Sequence, residues 1–186
     1  MNAKEAIVTC YRKSFTKEGR ASRSEYWWFL LYTQCVAGAV VVLGQHVKRS
    51  GHPSIVLLIL ALLIELFALY NVIATLFAQV RRLHDVGRSG WWLVGGLLFS
   101  VVMEAAFIVQ LMAAARSRAV PQYIEAVAHG QHPMLIGGLV ALTALSVTLF
   151  VFSVLPGTVG DNRYGGDPLE RDKTRNLRGR LVGERR

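Results

Sequence analysis

Four long apolar segments constrain the fold of this chain more than any other feature of its sequence. A helix needs about 20 residues, at a rise of 1.5 Å each, to cross the roughly 30 Å hydrocarbon core of a bilayer. Four such segments among 186 residues, of which 53% are hydrophobic, leave no amphipathic helices to cover a soluble core. The sequence therefore predicts an all-α protein, a four-helix transmembrane bundle with spans at residues 27–47, 55–80, 91–115 and 134–155.

The predicted membrane domain comprises residues 27–155, and the segments before and after it are polar. In residues 1–26, apolar side chains recur at helical spacing and predict an N-terminal helix that lies in the membrane interface, with a frayed, solvated tail as the alternative. This charged start has no continuous apolar region, so we expect no cleavable signal peptide. Residues 156–186 join a glycine-rich motif to a basic tail without apolar periodicity, which is predicted to be disordered.

The basic residues are unevenly distributed among the loops. Of the 21 Lys and Arg residues, six precede the first span, three lie between the second and third spans, and eight follow the fourth. Since basic loops resist translocation, we predict that both termini and the middle loop are cytoplasmic. The net charge of +9 then reflects topology and attraction to anionic phospholipid headgroups, and nucleic acid is disfavoured as a partner.

Three of the predicted cytoplasmic segments carry a resemblance. They are residues 15–29 (FTKEGRASRSEYWWF), 81–92 (RRLHDVGRSGWW) and 156–168 (PGTVGDNRYGGDP). Together they resemble the domain of unknown function 805 family, small multi-pass proteins of the bacterial inner (cytoplasmic) membrane. The resemblance implies that location and no assigned activity. Residues 113–133 depart from it, because they enlarge an external loop beyond what we expect of the family.

The predicted topology gathers charged residues from these motifs on one side of the membrane. One interpretation is a mutual clamp, in which Glu25, Asp85 and Asp161 each pair with an arginine from another segment. The other is a site for a phosphate or lipid headgroup, since the arginines outnumber the acids and keep bonding capacity after internal pairing. The predicted cluster is Arg20, Arg23, Glu25, Arg81, Arg82, His84, Asp85, Arg88, Asp161, Asn162, Arg163 and Tyr164.

Two carboxylates, Glu65 and Glu104, interrupt the second and third spans. Ionisable groups at such depth are costly, so we expect them to face the protein interior at similar depths. One interpretation is that each is neutral and hydrogen-bonded within a packed bundle. The other is that they share a proton or cation in a transport path.

The leading hypothesis from the sequence is a non-enzymatic membrane protein whose arginine-rich cytoplasmic face binds anionic lipid or a membrane-protein partner. The alternative is a small oligomeric proton- or cation-linked transporter or channel that uses Glu65 and Glu104. We expect no cofactor, and no catalytic residues are predicted because neither Ser24 nor Ser89 lies in a nucleophile motif. The histidines of the external loops are read as solvated rather than as metal ligands.

Overall fold

The computed structural model describes residues 1–49, 54–170, 172–174 and 177. Its helices confirm the all-α prediction, and four of them are long and apolar enough to cross a membrane. In the part of the chain that is described, no strand is formed beyond an isolated bridge between Asn162 and Gly165. The helices are α1 (Ala3–Arg12), α2 (Arg23–Arg49), α3 (Ile55–Asp85), α4 (Trp91–Arg116), α5 (Val120–Ala128) and α6 (Pro133–Val154).

Two of the long helices extend beyond the apolar segments that predicted them. Helix α2 begins at Arg23 rather than residue 27, and α3 continues to Asp85 rather than residue 80. The apolar segment marks only the hydrocarbon depth, whereas a helix can continue into the headgroup region where charged side chains are solvated. Glu25 of the first motif and Arg81, Arg82 and Asp85 of the second therefore lie on helix ends.

Contacts divide the chain into two compact units, the first formed by residues 1–90 and 153–186 and the second by residues 91–152. In the first unit, α1 packs against α2 and α3. Helix α1 starts with a capping box between Asn2 and Glu5, which satisfies amides that a helix N-terminus leaves without partners. The core of this unit comprises Cys10, Tyr26, Phe29, Ala74 and Ala78.

The second unit contains α4, α5 and the membrane-spanning part of α6. Close packing here depends on glycine, since a Cβ on Gly96 would lie 2.7 Å from a methyl carbon of Leu145. Helix α5 occupies the predicted external loop, where the sequence did not indicate a helix, and Tyr123 on it contacts the ring of Phe107. Most side chains of the long helices point outward, as lipid-facing surfaces do.

The start of the basic tail differs from the predicted disorder. Residues 168–170, 172–174 and 177 are helical, and the other residues of the tail lie outside the described part. Asp167 caps this helical segment: its carboxylate accepts from the Leu169 amide at 2.8 Å and from the Gly160 amide at 3.1 Å. These bonds, that from Leu169 first, lower the pKa of Asp167 because they favour the charged carboxylate.

Candidate functional site

Five buried charged residues form the centre of the first unit, and we call them the arginine cluster: Arg20, Glu25, Arg81, Arg82 and Asp85. Most of these residues lie at the ends of two helices that pack against each other. Glu25 lies in the first turn of α2, and Arg81, Arg82 and Asp85 lie at the end of α3. Arg20 is supplied by the loop before α2. None is more than 3% exposed, so each charge needs a partner inside the protein.

Asp85 is shared by two arginines. Its Oδ1 accepts from Arg20 Nε at 2.9 Å, and its Oδ2 accepts from Arg82 Nη1. The backbone carbonyl of Asp85 also accepts from Thr158, from the amide at 2.8 Å and from the hydroxyl at 3.1 Å. Asp85 therefore joins the end of α3 to the N-terminal loop and to the C-terminal motif.

Arg81 makes a second connection, to the segment between α1 and α2. Its Nη2 lies 3.4 Å from Glu25 Oε1, while Nη1 donates to the carbonyls of Lys13 and Thr16 at 2.8 and 3.0 Å. The thiol of Cys10 lies beside this pair, 3.8 Å from Glu25 Oε1. Burial, together with the negative charge of Glu25, raises the pKa of Cys10 to about 12, so the thiol stays protonated at neutral pH.

Backbone carbonyls take up the bonding capacity that the carboxylates leave. Arg20 donates to the carbonyls of Thr158 and Gly160. Arg82 donates to Ser153 at 3.1 Å and to Leu155, the carbonyls at the end of α6. Helix C-terminal carbonyls lack intrahelical partners and carry partial negative charge, so they suit a guanidinium. Arg20 and Arg82 are therefore committed to internal partners, whereas the buried Nε of Arg81 has no hydrogen-bond partner among the described residues.

The rest of the C-terminal motif folds over the end of α3. The Tyr164 ring stacks on His84 with centroids 3.9 Å apart, and Asn162 donates to the His84 carbonyl at 3.0 Å. His84 Nδ1 in turn donates to the carbonyl of Gly19 at 3.3 Å. Gly19 has a φ of +85°, which favours glycine at this turn. Residues from all three sequence motifs thus meet in the first unit.

Other predicted residues lie outside the arginine cluster. The clamp prediction is wrong for Asp161, which is exposed and accepts from the Asp167 amide at 3.3 Å instead of meeting an arginine. The short Gly160–Asp167 turn explains this, since it holds Asp161 against its own loop. Arg163 is exposed and donates to the Gly87 carbonyl at 3.4 Å, and Arg88 is also exposed.

The two carboxylates of the predicted spans do not face the protein interior as expected. Glu65 and Glu104 are both exposed rather than turned inward. The reason lies in the helices that carry them: α3 packs within its unit mainly through its last third, and α4 contributes few buried side chains. No described residue makes a hydrogen bond or an ion pair with either carboxylate.

Arg23 occupies a different environment from the buried arginines. Its side chain is exposed and makes no hydrogen bond or ion pair with any described residue. It borders two depressions in the first unit. The polar cleft, of about 340 Å³, is lined by Arg20, Ser22, Arg23, Ser24, Asp85, residues 156–159, Asp167 and Leu169. The interfacial groove, of about 600 Å³, is lined by Arg23, Ser24, Trp27, Trp28, Leu31 and Val154.

Several residues of this site are absent from the sequence-based cluster. Asp167 could have been found, because an Asp before Pro168 and Glu170 is a helix N-cap signal. Thr158 and Gly157 carry no such signal, since their role depends on contact with Asp85, far away in the sequence.

Comparisons with known proteins agree with this architecture. The family model described as "Protein of unknown function (DUF805)" matches residues 14–166, which include nearly all of the three motifs. Inner membrane protein YhaI of Escherichia coli (strain K12) is 30% identical over 150 residues, covering 81% of this chain and 83% of that protein. Inner membrane protein YhaH of the same strain is 28% identical over 155 residues, covering 81% and 84%. No solved structure matches the chain. This membrane protein therefore belongs to the DUF805 family, whose function is unknown.

Proposed function

We propose that this chain is an inner-membrane protein whose cytoplasmic end binds the phosphate of anionic phospholipids at Arg23. The observation that carries the proposal is the contrast among the arginines. Arg20, Arg81 and Arg82 are buried against carboxylates and carbonyls, whereas Arg23 is exposed at the junction of the polar cleft and the interfacial groove. The relatives named as inner membrane proteins support the location.

The two carboxylates that line the polar cleft with Arg23 already have partners. Asp85 is bound by two arginines and Asp167 accepts from two backbone amides, so the exposed charge of Arg23 suits an anion. Arg23 is the first residue of α2, and the N-terminus of a helix favours an anion because it carries the positive end of the helix dipole and amides without intrahelical partners. Ser22 and Ser24 line the same cleft, and their hydroxyl oxygens are 3.2 Å apart. A guanidinium can make two parallel bonds to a phosphate, which gives such a site geometric selectivity.

The proposed role is binding rather than catalysis. Glu25 and Asp85 are held by buried arginines, and Asp167 in the polar cleft accepts from two backbone amides. A transport role for Glu65 and Glu104 gains no support from their exposed positions in the first and second units.

Replacing Arg23 with glutamine is expected to weaken retention of phosphatidylglycerol about tenfold, because a charge-assisted bond to phosphate is lost. The preference over phosphatidylethanolamine should fall in parallel. Native mass spectrometry of protein released from mixed-lipid nanodiscs measures both lipids together. Lys17→Gln is the matched control, since it removes the same charge from an exposed position away from both depressions. Equal effects of the two substitutions would reduce the site to general surface charge.

The orientation can be tested with reporter fusions. Fusions after Arg88 and after Arg186 should report a cytoplasmic location, and fusions after Arg49 and at Gln131 an external one, because basic residues concentrate in the first set of loops. Alkaline phosphatase and green fluorescent protein fusions measure the two sides independently. A cytoplasmic signal from either external position would overturn the orientation and, with it, the cytoplasmic placement of Arg23.

A further inference from the structure

The interfacial groove runs along one face of α2. Arg23, Trp27 and Leu31 follow one another at four-residue spacing, so they lie in a row on the helix surface. From Arg23 to Leu31 the row covers about 12 Å at helical rise. Its first turn is polar, and the following two turns are aromatic and aliphatic. The groove therefore changes from charged to apolar in the direction in which a bilayer changes from headgroup to hydrocarbon.

The apolar wall of the groove is open and partly fixed in place. Trp28, Leu31 and Val154 are 44%, 55% and 46% exposed, which is a large accessible apolar surface. Trp27 is held differently, because its Nε1 donates to the Ser153 carbonyl at 3.3 Å. The same carbonyl accepts from the buried Arg82. The arginine cluster thus sets the position of one wall, and a preformed wall lowers the entropic cost of binding.

We propose that this groove seats one acyl chain of an anionic phospholipid whose phosphate is bound by Arg23. This inference rests on the proposed function and adds the binding mode: a whole lipid is held lengthwise along α2, rather than a headgroup alone. Charge complementarity selects this occupant. Arg23 at the polar end has no described partner, and an anionic lipid supplies both the negative phosphate and the apolar chain that the two ends of the groove require.

Tryptophan fluorescence reports occupancy of the groove directly. The chain has four tryptophans, so a Trp91→Phe/Trp92→Phe variant leaves Trp27 and Trp28 as the fluorescent residues. It is reconstituted in bilayers of phosphatidylethanolamine and phosphatidylglycerol, with bromine on the acyl chains of one lipid or the other at equal mole fraction. Brominated phosphatidylglycerol should quench about twofold more, because a selective site holds that lipid above its share of the bilayer.

Two further variants make the result specific. Adding Arg23→Gln should make the two brominated lipids quench equally. The reporter control retains Trp91 and Trp92 and carries Trp27→Phe/Trp28→Phe, and it should show no difference between the lipids. Circular dichroism verifies that each variant remains helical. If either tryptophan variant fails to fold, the unsubstituted chain still reports the Arg23-dependent difference in total quenching.

The outcomes separate this inference from the proposed function. Arg23-dependent retention of phosphatidylglycerol in the mass spectrometer without lipid-selective quenching would overturn the groove and leave a headgroup site. Equal retention of the two lipids would overturn both the groove inference and the proposed function. Quenching that is weak for both lipids and rises when the protein is diluted in the bilayer would show that a second copy of the chain covers the groove, which also overturns the inference.

Discussion

Replacing Asp85 with asparagine is expected to destabilise the folded protein by about 3–5 kcal/mol, because breaking a buried ion pair leaves an uncompensated buried charge. Arg20 and Arg82 both depend on this carboxylate, one at each oxygen. Asparagine keeps the size and one acceptor oxygen but removes the negative charge. The carbonyls around the two arginines already accept hydrogen bonds from them, so they cannot replace the lost negative charge.

Asp161→Asn is the matched control for this experiment. It makes the same chemical change in the motif that folds over Asp85, but at an exposed carboxylate without an arginine partner. Exposed substitutions of this kind change stability by about 0.5 kcal/mol or less. Thermal unfolding in detergent micelles, followed by circular dichroism, compares the two. Similar midpoints would mean that the buried pairs contribute little to the folded state.

Gly157→Ala should also destabilise the fold, by about 1–3 kcal/mol, as overpacking a dense site does. A Cβ at this position would lie 2.6 Å from Asp85 Cγ, too close for any real contact. The Asp85 side chain cannot rotate away easily, because two arginines hold it. The loop must shift instead, and the Thr158 bonds to the Asp85 carbonyl should weaken with it.

Gly44→Ala provides the comparison, since a Cβ there meets nothing within 4 Å. This variant should keep the midpoint of the parent or exceed it slightly, because alanine favours a helix. Limited proteolysis measures the second effect of Gly157→Ala, which should expose the 156–168 segment to cleavage. A Gly157→Ala protein as stable and as resistant as Gly44→Ala would contradict the close packing around Asp85.

The membrane-spanning architecture could be predicted from the sequence because hydrophobic length is a one-dimensional property. The charges also indicated that Glu25 and Asp85 would find arginines, and the structure has both contacts. The same reasoning failed for Asp161, since opposite charge does not specify distance. It equally could not show that Arg82 would use the end of α6, because every residue carries a carbonyl and only the fold selects which ones face a guanidinium.

Exposure was the quantity that the sequence described least well. Arg23 and Arg20 look alike in the motif, yet one is exposed and the other buried, because α2 begins between them and turns their side chains into different surroundings. The inward placement expected for Glu65 failed for a related reason. Helical periodicity groups residues on a face, but it does not say which face meets protein and which meets lipid.

The partners of Arg20 also impose an order on synthesis. Arg81 can meet Glu25, and Arg82 can meet Asp85, as soon as α3 has been made. The carbonyls that receive Arg20, those of Thr158 and Gly160, are translated 138 and 140 residues after it. Until the ribosome has passed them, this guanidinium lacks most of its native bonds. Full bonding of Arg20 is therefore a late event in biogenesis, and a nascent chain that stops after α6 lacks the Thr158 and Gly160 carbonyls that this guanidinium needs.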